Sequence, residues 1–148
     1  GGYEITETET GIIPMTDMPF PRRGGTRILR TGTKGGRVKA STGFAFHRIY
    51  RDSSNIAASL KRRGHPFDLP ETPKRFALLD YLLLNVLYRR GELSHLVFRR
   101  LFERNPIDRL LRFLNEEVTF WETIAIMATV PWGPFLAAWF RLKILGRP

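Results

Sequence analysis

The residues best suited to chemistry lie in one stretch, Thr31 to Phe46, with the sequence TGTKGGRVKASTGFAF. Two glycine clusters flank a short basic segment, and a helical pattern follows. Glycine permits positive φ and lets the backbone approach a ligand closely, and the amides at the start of a helix favour a negatively charged group. This stretch therefore predicts a site for a phosphate or a cofactor.

The common catalytic and nucleotide motifs do not match. A P-loop requires G-x-x-x-x-G-K-[ST], but Phe44 follows Gly43 where that motif has lysine, and the order G-x-G-x-x-G is also missing. His47, His65 and His95 lie in different predicted elements, and the chain has no Cys. We therefore predict no metal site and no catalytic residue within these 148 residues.

Three acidic residues of the second half differ in their predicted environments. Asp80 lies among leucines and is predicted to be a buried, structural ion-pair partner of an arginine. Glu116 and Glu117 are predicted to be solvated surface charges. For Phe44 and Phe46, core packing is favoured over ring stacking for at least one of the two.

Composition predicts one folded unit with a basic surface. The chain has 43% hydrophobic residues and a net charge of +10. Such a surface attracts polyanions, and a merely solvated positive surface and a specific electrostatic role both remain open. The first residues, GGYEITETET, resemble the middle of a strand, so we expect a piece of a longer protein. No signal-peptide pattern is present, which predicts a cytoplasmic location.

The first half is predicted to contain strand, loop and helix in that order. Residues 3–9 alternate with period two, and Thr26–Thr31 is a second short strand that leads into Gly32. A helix is predicted from Thr42 to Arg63, with Ser41 or Thr42 as N-cap and Gly64 as its end. Its predicted inner face contains Ile49, Ser53, Ile56, Ala57 and Leu60.

The second half is predicted to be helical. Helices are expected to begin at Thr72-Pro73, to cover Ser94–Arg104, and to begin again at Asn105-Pro106 and at Thr119, where Glu122 completes a capping box. From Phe120 to Phe140 the only charged residue is Glu122. Pro131, Gly133 and Pro134 interrupt this segment and predict two short helices. An interfacial membrane element and a buried helical hairpin both remain open.

The order of these segments resembles the C-terminal part of the bacterial, FAD-dependent lycopene cyclases of carotenoid biosynthesis. The resemblance covers almost the entire chain. Its most specific parts are the I-P-M segment and G-T-x-G-G-x-x-K-x-S-T-G-F. The segments that carry it are GIIPMTDMPFPRRGG, GTKGGRVKASTGFAF, RDSSNIAASL, the RF-x3-D-x2-LL pattern from Arg75 to Leu84, LFERNP and RFLNEE.

The resemblance implies an α/β fold, the C-terminal fragment of a Rossmann-type FAD-binding flavoprotein, with a few strands followed by a mostly α-helical half. Residues 1–70 would form the end of a substrate-domain sheet and the second half of the FAD-binding domain, and residues 71–148 a C-terminal helical region. The acidic residue associated with catalysis is expected upstream. The cofactor-binding residues carried over from the family are Gly32, Thr33, Gly35, Gly36, Ser41, Thr42, Gly43 and Phe44.

The activity implied is that of an intramolecular lyase or isomerase, which cyclises the ψ-ends of lycopene to β-ionone rings and forms β-carotene through γ-carotene. Reduced FAD is the implied cofactor, and NAD(P)H its reductant. The fragment alone is expected to be inactive. Lycopene and a membrane surface are the expected partners, with no nucleic acid, and the expected location is cytoplasmic, at the inner face of the cell membrane.

Two alternatives to the cyclase remain. The first is another flavoprotein of the same superfamily, such as a monooxygenase or a prenyl-lipid reductase, which would share the glycine loop and the helix. The second is a basic, non-enzymatic domain that binds nucleic acid or membranes, which only the charge and the aromatic residues support.

Overall fold

A computed structural model describes residues 2–145, and its regular elements are six α-helices and two short 3₁₀ turns. The 3₁₀ turns are Thr33–Gly35 and Gly91–Leu93. The helices are α1 (Phe46–Arg63), α2 (Lys74–Arg89), α3 (Ser94–Arg104), α4 (Ile107–Leu114), α5 (Phe120–Met127) and α6 (Trp132–Leu145).

The predicted α/β fold with N-terminal strands is wrong. Residues 2–145 contain no strand, and their only β interaction is one isolated antiparallel bridge between Arg23 and Leu29. Tyr3 and Ile5, in the predicted first strand, are 90% and 71% exposed. Alternation alone does not make a strand, because its amides and carbonyls need a neighbouring strand as partner. The described part of the chain is therefore all-helical.

The helical predictions for the second half are largely confirmed, because they rest on local contacts. α3 has the predicted bounds, and the Thr119–Glu122 capping box opens α5. α5 and α6 are separate helices on either side of the predicted break. α2 begins at Lys74 with Pro73 as N-cap, one residue later than the Thr72-Pro73 prediction implied.

The hydrophobic core lies within the second half of the chain. It is formed by side chains from α2 to α6 and from the segment between α4 and α5. Phe76, Val86, Val97, Leu110 and Ile126 are at most 1% exposed. Burial of such large apolar side chains is the main stabilising contribution to a fold of this size. The core therefore supplies a rigid base for the loop that precedes α1.

α1 differs from its prediction in its start and in its packing. It begins at Phe46 rather than Thr42 and ends before Gly64, which has φ +73°. Its buried residues are Asp52 and Ser59, whereas Leu60 of the predicted inner face is 47% exposed. Polar contacts rather than an apolar face therefore hold α1 against the rest of the protein.

The predicted core packing of Phe44 or Phe46 is also wrong. The two side chains are 47% and 75% exposed. Ser41, not a phenylalanine, points inward from this stretch and is 3% exposed. The chain turns between Lys39 and Phe44, whose amide and carbonyl are 2.8 Å apart (N···O), so the aromatic rings lie outside the turn.

Candidate functional site

The glycine stretch forms a tight loop ahead of α1. Gly32 and Gly36 flank the Thr33–Gly35 turn and have φ values of +55° and +69°. Glycine adopts such left-handed values without steric cost. The amide of Arg37 donates to the carbonyl of Gly32 at 3.0 Å and closes the loop. The two flanking glycines are thus required by the backbone itself.

The glycines also lie against the segment that contains I-P-M. A Cβ atom at Gly36 would be 3.0 Å from Cβ of Phe20, and one at Gly43 would be 3.2 Å from Cγ2 of Ile13. Both distances are at or below ordinary van der Waals contact. The two segments that carried the family resemblance therefore touch each other in the folded chain.

Gly35 allows a third close contact. A Cβ atom there would lie 2.3 Å from the carbonyl oxygen of Arg30. That oxygen also accepts a hydrogen bond from Nη1 of Arg22 at 2.8 Å. Gly35 is buried, so the space a side chain would need is already filled by the protein's own chain.

Five polar side chains meet beneath the loop, and we call them the buried ion cluster: Lys39, Ser41, Arg48, Asp80 and Glu116. Nζ of Lys39 lies 2.9 Å from Oδ1 of Asp80 and 3.2 Å from Oε1 of Glu116. The Ser41 hydroxyl donates to Oδ1 of Asp80 at 2.5 Å. Arg48 pairs with Glu116, and its Nη2 is 3.6 Å from Oδ2 of Asp80. The cluster joins the loop to α1, to α2 and to the segment after α4.

Glu116 is held in this cluster in an uncommon backbone conformation. Its φ is +64°, and among residues 2–145 no other non-glycine residue has positive φ. Burial raises the pKa of Glu116, but the hydrogen bond from Arg48 and the charge of Lys39 outweigh it, so the net pKa lies below its ordinary value. The prediction of a solvated Glu116 is wrong, since its side chain is 6% exposed.

Glu117 has a different environment from its neighbour. Its side chain is 37% exposed; Oε1 is hydrogen-bonded to Nε2 of His47 at 2.8 Å and forms an ion pair with Arg51 at 2.5 Å. The hydrogen bond with His47, followed by that from Arg51, lowers the pKa of Glu117.

Asp80 is buried as predicted. Its nearest cation is Lys39, and the expected arginine is Arg48, which lies farther away.

Arg37 and Arg48 line both of the larger clefts beside the buried ion cluster. The smaller has a volume of about 220 Å³ and lies between the glycine loop and residues 14–20. The larger has a volume of about 590 Å³. We call the larger one the cationic cleft.

Of the residues predicted to hold FAD, Thr33 and Gly36 line the smaller cleft. Thr33 is exposed and Gly36 partly exposed, so a ligand in this cleft can reach both residues, as the predicted role requires. Gly32 is partly exposed beside them, whereas Gly35 is buried against Arg30 and faces neither cleft.

The predicted helix-start residues are placed differently. The Ser41 hydroxyl is already bonded to Asp80, so it does not fit a contact with the cofactor. Thr42 and Phe44 are exposed, and Gly43 has φ +70°. The left-handed conformation of Gly43 keeps all four residues outside α1. The free amides at the start of α1 belong instead to the residues after its N-cap, Ala45.

Sequence reasoning missed Lys39, Arg48 and Glu116 as cluster members. Arg48 and Glu116 are 68 residues apart, so no local spacing links them. The one usable indication was Asp80, a charged residue in an apolar helical face that had to find a partner. Lys39 lies inside the family-like glycine segment, but nothing in its spacing links it to Asp80.

The last two helices expose large apolar side chains, which we call collectively the aromatic face. Trp121 is 76% exposed, Trp132 59% and Phe140 55%. Within residues 2–145, no single helix has the length and apolar composition to cross a membrane. Taken together, α5 and α6 meet the criteria of length and apolar composition, but the two helices are bent by 120° relative to each other. The members of the aromatic face are Phe120, Trp121, Ile124, Trp132, Leu136, Trp139, Phe140 and Ile144.

The fold and the site define an all-helical domain whose glycine loop is tied to the core by buried ion pairs. The family model described as "Lycopene cyclase protein" matches residues 1–139. The chain belongs to this lycopene cyclase family, and the predicted family is confirmed. No curated protein and no solved structure matched it.

Proposed function

We propose that the protein is an FAD-dependent lycopene cyclase that converts the ψ-ends of lycopene to β-ionone rings. A proton adds to the terminal double bond, the cation closes the ring, and loss of a proton forms the product. The substrate and the product are isomers, which makes the enzyme an intramolecular lyase or isomerase. β-Carotene would form through γ-carotene. The family match over residues 1–139 is the observation that carries this proposal.

In this proposal Thr33 and Gly36 hold FAD, because they line a cleft between two family-like segments. The chemistry that bound reduced FAD supplies, with NAD(P)H as its reductant, is stabilisation of the cation or delivery of the proton. The buried ion cluster keeps the loop in place, since Lys39 and Ser41 are both bonded to Asp80 of α2. The catalytic acid and the dinucleotide motif are assigned to sequence ahead of residue 1.

Expression of the full-length protein in a lycopene-accumulating bacterial host tests the activity. Formation of β- or γ-carotene, identified by chromatography and mass spectrometry, is the expected result. Hydroxylated or saturated products would instead favour a monooxygenase or a prenyl-lipid reductase. Unchanged lycopene in cells that contain folded, flavin-loaded protein would contradict the proposal.

The role of Thr33 has its own test. Thr33→Val removes one hydroxyl, and we expect FAD affinity to fall by about fivefold, the value of one ordinary hydrogen bond. Thr31→Val is the matched control, because Thr31 is exposed in the same loop and lines neither cleft. Flavin absorbance per purified protein is the readout. Equal flavin content in the two variants would exclude Thr33 from the site.

We further propose that the aromatic face docks on the cytoplasmic surface of a membrane. Lycopene is a hydrocarbon dissolved in the bilayer, so an enzyme that acts on it gains from an apolar docking surface. Tryptophan suits the headgroup region, and Lys143, whose Nζ is 5.8 Å from the Trp139 ring, would face anionic lipid.

Co-sedimentation of the full-length protein with phosphatidylglycerol vesicles tests the docking. The double variant W121A/W132A should reduce vesicle binding by about tenfold or more, because it removes two exposed indole rings. Y88A/F102A is the control, since Tyr88 and Phe102 are 87% and 55% exposed but lie on α2 and α3. Equal binding by both double variants would reject the aromatic face as the docking surface.

A further inference from the structure

A third cavity lies inside the helical half of the chain, and we call it the apolar cavity. Its volume is about 50 Å³, and its walls come from each of the helices α2 to α6 and from the turn at residues 39–42. It shares no lining residue with the cationic cleft. The hydrophobic core therefore surrounds a space of its own, apart from the basic surface.

The lining of the apolar cavity suits an uncharged hydrocarbon group. Eleven of its fifteen lining residues are apolar, and the other four are Lys39, Ser41, Thr42 and Asp80. The Lys39 ammonium and the Ser41 hydroxyl both bond to Oδ1 of Asp80, at 2.9 and 2.5 Å, so these polar groups already have partners. A polar ligand would lose its hydration here without regaining enough hydrogen bonds, whereas an apolar group loses nothing.

The size of the cavity admits one branched group at the end of a longer chain. Its volume of about 50 Å³ is several times the space that one buried water requires. Thr42 is exposed, while the other lining residues are buried or partly buried, which places the opening at the turn that contains Thr42. A long chain can therefore insert its end through this opening while the rest stays outside.

The apolar cavity adjoins the cleft proposed to hold FAD. Asp80 lines both spaces, and Thr33 and Gly36 lie in the wall of the smaller cleft. Asp80 is itself buried, so one buried side chain belongs to both walls. In the proposed function, the end of the substrate reacts beside the flavin. A cavity in this position meets that requirement.

We propose that the apolar cavity receives the acyclic ψ-end of lycopene and excludes an end that is already closed to a ring. The ψ-end is a small branched hydrocarbon, and it supplies packing contacts that the lining side chains do not make across the cavity. A closed ring with its methyl groups is too large for a space of about 50 Å³. Ring closure then expels the end group and favours product release. This inference rests on the proposed cyclisation and adds to it the site that selects the substrate end.

Isobutene has the branched end of the ψ-group and is the probe for the cavity, with methylcyclohexene as the ring-shaped comparison. Met127 lines the cavity, and its methyl signal reports binding in an NMR titration of the full-length protein. Loss of the signal in Met127→Leu assigns it. Isobutene should shift this signal, and methylcyclohexene should bind at least about tenfold more weakly, because a hydrophobic site of fixed size discriminates by such factors. Met15, which lines none of the three spaces, is the internal control.

Leu79→Phe tests the cavity with a side chain that fills it. Leu78→Phe is the matched control, because both leucines are partly exposed on α2 and pack against the core, but of the two only Leu79 lines the cavity. Leu79→Phe should weaken isobutene binding at least about tenfold, and Leu78→Phe should change it by less than about twofold. Circular dichroism of each variant verifies folding.

Product analysis in the lycopene-accumulating host connects the cavity with the reaction. At equal flavin content per protein, Leu79→Phe should form at least about tenfold less β- and γ-carotene than Leu78→Phe, because it displaces the substrate end. Leu79 does not line the smaller cleft, so its substitution should leave the flavin content unchanged.

The two experiments separate failure of the cavity from failure of the proposed function. No shift of the Met127 signal with isobutene, equal binding of isobutene and methylcyclohexene, or equal effects of Leu79→Phe and Leu78→Phe would overturn the cavity as the substrate site. Isobutene binding by a folded, flavin-loaded wild-type protein that forms no carotene would instead overturn the cyclisation, and with it lycopene as the occupant.

Discussion

The hydroxyl of Ser41 donates a hydrogen bond to Oδ1 of Asp80, with an O···O distance of 2.5 Å between residues that are 39 positions apart. Ser41 is 3% exposed and Asp80 4% exposed. Hydrogen bonds to a buried carboxylate are stronger than neutral ones, and the loss of this one would leave Oδ1 of Asp80 with Lys39 as its remaining partner. This contact therefore ties the glycine loop to the first helix of the core.

Substitution of Ser41 tests whether its main role is structural. Ser41→Ala should lower the free energy of unfolding by about 1–3 kcal/mol, because one acceptor site of Asp80 loses its partner. Thr42→Ala should change it by less than about 0.5 kcal/mol, since Thr42 is exposed. Urea unfolding checks both values. Flavin loss from Ser41→Ala without a change in stability would instead place Ser41 at the cofactor.

The adjacent glutamates should respond very differently to the same change. Glu116→Gln removes the charge that neutralises Lys39 and Arg48, and we expect a loss of about 3 kcal/mol, as for other broken buried ion pairs. Glu117→Gln acts on a pair at the surface and should cost less than about 1 kcal/mol. Chemical denaturation at neutral pH measures both. Similar costs for the two variants would contradict the burial of Glu116.

Two glycine substitutions should shift stability in opposite directions. Gly35→Ala places a Cβ atom 2.3 Å from the Arg30 carbonyl oxygen, and the backbone shift this forces should cost about 2 kcal/mol or more. Gly133→Ala meets nothing within 4 Å in the first turn of α6, and should stabilise the protein by about 0.5–1 kcal/mol. Thermal unfolding compares the two. A stable Gly35→Ala variant would refute the close packing of the loop.

Glu122 should make stability depend on pH in the acidic range. Hydrogen bonds from the Thr119 backbone and from Arg112 lower the pKa of Glu122 from 4.5 to about 2. A carboxyl group whose pKa is depressed on folding contributes stability above its unfolded pKa and loses it as the pH falls. Its contribution is therefore complete above about pH 4.5 and disappears toward about pH 2.

Glu122→Gln isolates this effect, because glutamine can keep the capping box but not the charge. The stability difference between wild-type and variant protein should be constant near neutral pH and shrink as the pH falls below about 4.5. Urea unfolding at several pH values measures it. Glu103→Gln is the control, since its exposed pair with Arg99 contributes little at any pH. A difference that stays constant down to pH 3 would contradict the role of Glu122.

Helix boundaries in the second half could be predicted because the forces that set them are local. The capping box at Thr119 and Glu122 involves groups three positions apart, and the start and end of α3 follow from its neighbouring residues. The family could also be recognised from the sequence, because the order of its short segments can be read directly from the residues. The match to the family model over residues 1–139 confirms it.

The α/β fold was wrongly predicted because a strand depends on a partner that its own residues do not specify. The alternation in residues 3–9 is real, yet the described chain pairs that segment with nothing. The N-terminus of α1 was misplaced for a related reason. The left-handed Gly43 and the buried contact of Ser41 displaced it to Phe46.

By itself, the sequence determined the family, the position of the glycine loop and most of the helix boundaries from Lys74 onward. Only the tertiary structure decided that Lys39, Asp80 and Glu116 meet, and that the basic residues around Arg37 converge on one cleft. The reason is physical: caps and turns act across a few neighbouring residues, whereas electrostatic attraction and burial depend on distances in space that only the folded chain defines.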